Sequence, residues 1–243
     1  MIRKYFRHFK KSDKDKIRWR SHEPTRIEAL SDAVFAFAVS LLVFSLEVPK
    51  SSEELLKGMV NFIPFIFCFA TILLIWYEQY KFFRRYGMHD VTTIILNGIL
   101  IFVVLFYVYP LKFLYSSLLI DGGYTIRKED FIPLTIVYNA GILGIYLIFV
   151  FMYGNAYSKR EELNLTPIEI FETKSHLYAH LLPVFTGIVV IIIALLGGKY
   201  AQGAMAGWAL MSFMGLFGAR RNKLFKKKFG NIPMIEPHYG TEG

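Results

Sequence analysis

The chain has 243 residues, of which 54% are hydrophobic and 17% aromatic but only 19% charged, whereas a soluble domain carries roughly 25% charged residues. Its apolar residues gather into long uncharged runs parted by short polar stretches, which excludes an ordinary soluble core and fits a chain threaded through a bilayer. The net charge of +9 sits at the ends of those runs and not on a folded polar face, so the expected partner is anionic lipid headgroups, with no nucleic acid.

Taken in chain order, residues 1–26 carry ten Lys and Arg and form a basic cytoplasmic tail. The stretch Met1 to Arg7 reads either as a short amphipathic segment on headgroups or as a disordered basic end. The first apolar span runs from about Ala29 to Val48, with Asp32 near its start. The second runs from about Met59 to Tyr77, with Pro64 in its first half, a kink that neighbouring helices tolerate. The third begins after Asp90 and reaches Tyr109 and Pro110. The fourth covers about Phe131 to Met152, the fifth Leu177 to Leu196 and the sixth Tyr200 to Gly218. Each approaches the roughly 20 residues that cross the hydrocarbon core. The spacing predicts an all-α, polytopic protein: a six-helix domain over 27–218 and a second basic cytoplasmic tail over 219–243. The stretch Leu163 to Glu169 reads as a loop with a short interfacial helix.

Lys and Arg placement sets the orientation. On one side fall the ten of the N-terminal tail, then Lys81, Arg84 and Arg85, then Lys159, Arg160 and Lys174, then the six of residues 220–228. The other side receives Lys50, Lys57, Lys112, Arg127, Lys128 and Lys199. This asymmetry predicts six spans with both termini cytoplasmic.

Chemistry-bearing residues are few. The single cysteine, Cys68, lies in an apolar run and allows neither an intrachain disulfide nor a cysteine-based metal site. His176 and His180 stand i, i+4 at the start of the fifth span, but no Cys or H-E-x-x-H context accompanies them, and no metal is expected there. Glu78 reads as interfacial, or as a polar partner for Arg26 or Asp32. Gly203 and Gly207 form a G-x-x-x-G in the sixth span, a close-packing pattern. No Ser/His/Asp set, phosphate-cradling loop or paired intramembrane carboxylate exists, so neither an enzyme nor a cofactor is expected.

The first span is the most informative segment. Small residues recur at Ala29, Ala33, Ala36, Ala38 and Ser40 and allow neighbouring helices to approach. Ser31 or Asp32 either caps the helix at the interface or faces protein or water inside it. Helical spacing sets Phe37, Ser40, Leu41 and Phe44 along one stripe, which suits either ordinary packing or a lining.

Arg26, Leu30, Ser31 and Asp32 resemble the Arg-x-x-x-Phe-Ser-Asp signature of the endosomal/lysosomal potassium channel family, with Leu30 in place of Phe. Pro49 ends the span as in that family. Trp76 resembles the start of its Trp-x-x-His, with Gln79 in place of His, and Asn97 and Pro110 bracket the third span in its manner. The resemblance covers about residues 26–110. It implies a short bacterial member, a single six-helix unit in the plasma membrane that assembles as a homotetramer and passes potassium ions. The first helix would then line the pore. By distance from Asp32, Phe37 falls at the narrow apolar position and Ser40 where some members carry a pore-facing Thr. Arg26, Ser31 and Asp32 would hold this helix, with Trp76, Gln79 and Asn97 as the supporting network. No Thr-Val-Gly-Tyr-Gly-like filter is present, in keeping with an apolar constriction. The rival readings are a secondary transporter built around Pro64, Asn97, Asn139, Gly141 and Gly144, and a non-conducting membrane scaffold.

Overall fold

The computed structural model describes residues 19–21, 23–44, 49–60, 62–120, 127, 129–196 and 213–230. Among these, the regular structure is entirely α-helical: α1 (Arg26–Phe44), α2 (Ser52–Val60), α3 (Phe62–Tyr86), α4 (Val91–Leu119), α5 (Phe131–Ser158), α6 (Pro167–Leu196) and α7 (Phe213–Phe229). Five of them, α1, α3, α4, α5 and α6, are long and apolar enough to cross a membrane. Most of the sixth expected span, with Gly203 and Gly207, lies outside the described residues; α7 begins at Phe213 and carries the helix eleven residues past Gly218, to Phe229.

Three helices open on the same local device. Thr25 and Glu28 form a reciprocal capping box at α1: the Glu28 amide donates to Thr25 Oγ1 at 3.3 Å and the Thr25 amide to Glu28 Oε1 at 3.1 Å. Thr166 and Glu169 repeat it at α6, with amide-to-side-chain distances of 2.9 and 3.2 Å. At α2, the Glu54 amide donates to Ser51 Oγ at 3.1 Å. The cap of α1 therefore precedes Ser31 and Asp32, which lie more than a turn inside the helix and do not terminate it.

Two further expectations are corrected by these boundaries. Pro64 is the third residue of α3, within the first turn, where no intrahelical N–H partner is lost and no kink is needed. The fifth span starts at Pro167 and not near Leu177, because Thr166 supplies the cap and Pro167 fits the first helical position. Asn164, with φ of 48°, makes the turn before it.

Lys81, Arg84 and Arg85 belong to the last turns of α3 and not to a loop. There Arg84 and Arg85 meet the segment just ahead of α1. The Arg20 amide donates to the Arg84 carbonyl at 3.0 Å, and Arg84 Nη1 donates to the Ser21 carbonyl at 2.7 Å. Arg20 then grips Glu169 on α6 through both guanidinium nitrogens at 3.1 and 2.9 Å, a bidentate pair that fixes direction as well as distance. The end of the expected N-terminal tail is thus docked on the helices. The expected C-terminal tail is helical through Phe229, with Phe225 buried against Phe171 and Arg221 paired with Glu172.

Asp90, ahead of α4, ties the start of that helix to the end of α5. Burial alone would raise its carboxyl pKa, but hydrogen bonds from Thr93, Lys159 and Asn155 outweigh this and hold it down at about 2.

Burial against protein, not withdrawal from water, is what the core contributes in a bilayer, where lipid is as apolar as leucine. The largest such cluster joins Phe82, Phe83 and Tyr86 of α3 to Phe149, Met152 and Tyr153 of α5, with Phe82 and Tyr153 edge to face at 5.3 Å. Tyr107 of α4 lies against Gly141 of α5 and donates to the Tyr138 carbonyl at 3.1 Å. A Cβ built on Gly141 would meet the Tyr107 ring at 2.2 Å. Gly141→Ala is therefore expected to destabilise the fold by about 1–3 kcal/mol, the usual penalty of overpacking, read as a lowered melting temperature in detergent; an unchanged value would mean the α4–α5 contact is not tight.

Candidate functional site

Helix α1 has two faces with different fates. Glu28, Ser31, Phe35, Ala38 and Leu42, spaced at three and four residues, are buried against α3 and α4. The opposite stripe is bare: Phe37 is 54% exposed, Leu41 38% and Phe44 83%, while Ser40 between them is half-buried. Ser40 Oγ donates its only hydrogen to the Ala36 carbonyl at 3.0 Å, which leaves its lone pairs as the part of the hydroxyl free to face a cation.

The buried face is held by a chain of polar side chains. Gln79 Nε2 of α3 donates to Asn97 Oδ1 of α4 at 2.6 Å, and Asn97 Nδ2 donates to Ser31 Oγ of α1 at 2.8 Å. Ser31 Oγ in turn donates to the Ile27 carbonyl at 2.8 Å. All three side chains are at least 98% buried, and each needs a partner in such surroundings. One turn on, Trp76 Nε1 of α3 donates to Asp32 Oδ1 at 2.7 Å, a charge-assisted bond at the exposed edge of the same interface. The structure thus brings together Ser31, Asp32, Trp76, Gln79 and Asn97. Gln79, which stands where the family signature has His, is the α3 residue that reaches Asn97.

Arg26 is not part of this cluster. It is exposed on the first turn of α1, and among the described residues no side chain pairs with it. Glu78 does not reach Arg26 or Asp32 either: it binds Lys81 at 2.6 Å and faces His180. Of the groups a carrier would use, Asn139 donates through Nδ2 to the Thr135 carbonyl at 2.7 Å while its Oδ1 is buried without a partner, and Gly141 receives the Tyr107 ring.

Sequence reasoning missed the capping role of Glu28, although Thr25-x-x-Glu28 is its signature. It also placed His176 and His180 at the start of the fifth span, at the membrane interface. With α6 starting at Pro167, His180 is instead 4% exposed between helices, and His176 stacks on Tyr153 at 5.1 Å.

Comparison with known proteins gives concordant results. Residues 26–107 match the sequence profile of the endosomal/lysosomal potassium channel TMEM175, the stretch that contains α1, the Trp76–Asp32 bond and the Gln79–Asn97–Ser31 chain. A protein of Marivirga tractuosa named as a potassium channel is 42% identical over 205 residues, 78% of this chain and 83% of that protein. A second, from Chamaesiphon minutus and also named as a potassium channel, is 32% identical over 128 residues, 48% of this chain and 63% of that protein. The crystal structure of a variant of the potassium channel MtTMEM175, bound to a nanobody–MBP fusion protein, is similar with a TM-score of 0.76 and 36% identity; the match covers 87% of this chain and 97% of that one. The profile, the extent of the Marivirga match and the shared fold agree, and the chain belongs to the TMEM175 family of potassium channels.

Proposed function

We propose that this chain forms a potassium-permeable channel of a bacterial plasma membrane, in which α1 of each subunit lines a central pore. The observation that carries the reading is the two-faced character of α1: one face is fixed by the Ser31–Asn97–Gln79 chain, while the face with Phe37, Ser40, Leu41 and Phe44 is bare in the single chain. Symmetry mates meeting along that bare face, as a homotetramer, would enclose an axis lined by alternating apolar and hydroxyl groups. The sixth span and the cytoplasmic placement of both termini belong to this reading. They are supported by the gathering of basic residues at one end of the bundle.

In such a pore Phe37 forms the narrow ring. An apolar ring offers an ion no substitute for its hydration shell and obstructs passage by dewetting until it widens. Ser40, one turn further, presents hydroxyl oxygens that partly replace water around a cation. Potassium loses water more readily than sodium, so a hydroxyl ring of this kind favours it. The Trp76–Asp32 bond and the buried amide chain keep α1 in register, so that each subunit sets its Phe37 and Ser40 at the same height.

The test is flux from liposomes that hold the purified protein, with potassium compared against sodium. Potassium flux well above sodium flux supports the reading; equal leakage of both, or none from a folded oligomer, overturns it. Ser40→Ala is expected to lower the potassium-to-sodium ratio several-fold, the effect of removing about 1 kcal/mol of oxygen coordination, while leaving total flux measurable. An unaltered ratio would place selectivity elsewhere.

A further inference from the structure

We propose that Glu78, His176 and His180 bind a divalent transition-metal cation of the zinc type, which clips α3 to α6 at the basic end of the bundle. One ligand atom from each residue lies within 4.8 Å of the others, and His180 Nε2 stands 4.0 Å from Glu78 Oε2. His180 is 4% exposed, yet neither of its ring nitrogens has a hydrogen-bond partner, and Glu78 Oε2 is buried without one as well. Buried polar atoms are as a rule satisfied, and an unsatisfied imidazole beside an unsatisfied carboxylate oxygen calls for a specific cause. A cation seated between them supplies it.

The donor set decides which cation. Two imidazoles and one carboxylate suit zinc and its neighbours, and three protein ligands leave a fourth position for water. Magnesium and calcium prefer all-oxygen sets. The rings are already placed: His176 lies parallel on Tyr153 at 5.1 Å, and His180 stacks on Phe149 at 5.1 Å and leans on Tyr146 at 5.7 Å. Ligand atoms around a tetrahedral zinc stand about 3.3 Å apart, so binding requires Glu78 and the two histidines to close by roughly an ångström.

Arg85, Lys81 and Arg221 set positive charge near His176, yet the ligand atoms themselves stay available. Lys81 holds only Glu78 Oε1, at 2.6 Å, and so leaves Oε2 for a metal. Glu172, whose Oε2 is 4.0 Å from His176 Nε2 and is paired with Arg221, keeps a buried Oε1 without a hydrogen-bond partner but lies outside the three-residue cluster. His176 and Glu78 are partly exposed and give the ion a way in. Glu78 lies between Trp76, which bonds Asp32 of α1, and Gln79, which reaches α1 through Asn97, so the clip would stiffen the helix that carries those contacts. The inference does not depend on the channel reading, and its test does not use flux.

The full-length protein, purified in detergent and stripped of metal, is titrated with cobalt(II) at neutral pH. One equivalent is expected to develop the visible bands of a four-coordinate nitrogen–oxygen site and to be displaced by zinc. His180→Ala is expected to abolish the bands. Even loss of a residue that only supports a ligand weakens metal affinity about 10–100-fold, so Glu78→Gln and His176→Gln are expected to weaken zinc binding by about a hundredfold in calorimetry. His89→Gln, at an exposed position away from the cluster, is expected to change nothing. Absence of the cobalt bands in the unaltered protein overturns the proposal, as does a zinc isotherm that is the same in the His180 and His176 variants. Should His180→Ala not fold, the half-buried His176 carries the same decision.

Discussion

Shortening Phe37 to alanine is expected to raise potassium flux from reconstituted vesicles by about tenfold or more. The phenyl ring is the largest apolar group on the bare face of α1, 54% exposed in the single chain, and it touches little that the fold needs. Its removal therefore leaves stability nearly unchanged while widening the ring that symmetry mates would form. A drop of only about 1.4 kcal/mol in the barrier to wetting accounts for a tenfold gain. Phe37→Trp is expected to act in the opposite sense and suppress flux. If the alanine variant assembles normally by size-exclusion chromatography and its flux matches that of the unaltered protein, Phe37 does not face the conduction path.

The second large effect is expected at Asn97. This amide takes a hydrogen from Gln79 at 2.6 Å and gives one to Ser31 at 2.8 Å, at a point where α1, α3 and α4 converge. Asn97→Ala leaves a cavity and strands the Gln79 amide in a site that excludes water. Each stranded buried group costs about 1–3 kcal/mol, so the variant is expected to lose roughly 2–4 kcal/mol, read as a lowered melting temperature and a shift to aggregate in detergent. Ser31 keeps its bond to the Ile27 carbonyl at 2.8 Å and adds little to the loss. Replacing both partners, Gln79→Leu with Asn97→Leu, is expected to recover much of the stability, because an apolar pair leaves nothing unsatisfied. Recovery relative to Asn97→Leu alone, which fills the volume but still strands the Gln79 amide, identifies the hydrogen bond, and not the packing volume, as the cause. A melting temperature untouched by Asn97→Ala would show that the chain does not hold α1.

The two variants separate the faces of one helix. A change on the bare face is expected to alter flux and spare stability; a change behind it is expected to do the reverse. That division follows from the periodicity of α1 alone, and it makes the pair of experiments more informative than either one.

Much of this was legible in the chain because a bilayer writes in long words. Uninterrupted apolar runs announced α3, α4, α5 and α6 to within a few residues at their lipid-embedded parts, since charge at those depths is costly. The Arg26–Asp32 pattern with Trp76 and Asn97 pointed to the segment that matches the TMEM175 profile. The ends of helices were less legible, because hydropathy falls off before the helix does. Lys81 and Arg84 look like a loop by composition, yet they extend α3 to Tyr86 as their aliphatic stems pack and their charges reach polar partners. The start of α6 was misjudged for the same reason: Glu169, Glu172 and Lys174 mask nearly three turns of helix that Thr166 and Glu169 had already announced as a capping box. The juxtaposition behind the proposed metal seat was not legible at all. His176 and His180 are neighbours in sequence, but Glu78 joins them only through the packing of α3 beside α6.

The Arg20–Glu169 pair joins residues separated by 149 positions. Synthesis proceeds from the N-terminus, so Arg20 leaves the ribosome long before its carboxylate partner exists. Helix α1 is equipped to start unaided, since its cap is built from Thr25 and Glu28, three residues apart. The segment in front of it is first gripped by α3, where Arg84 meets Arg20 and Ser21, and its tie to Glu169 is added only once the fifth hydrophobic helix has been made. The last fastening of the chain ahead of the first helix is thereby a late event of biogenesis.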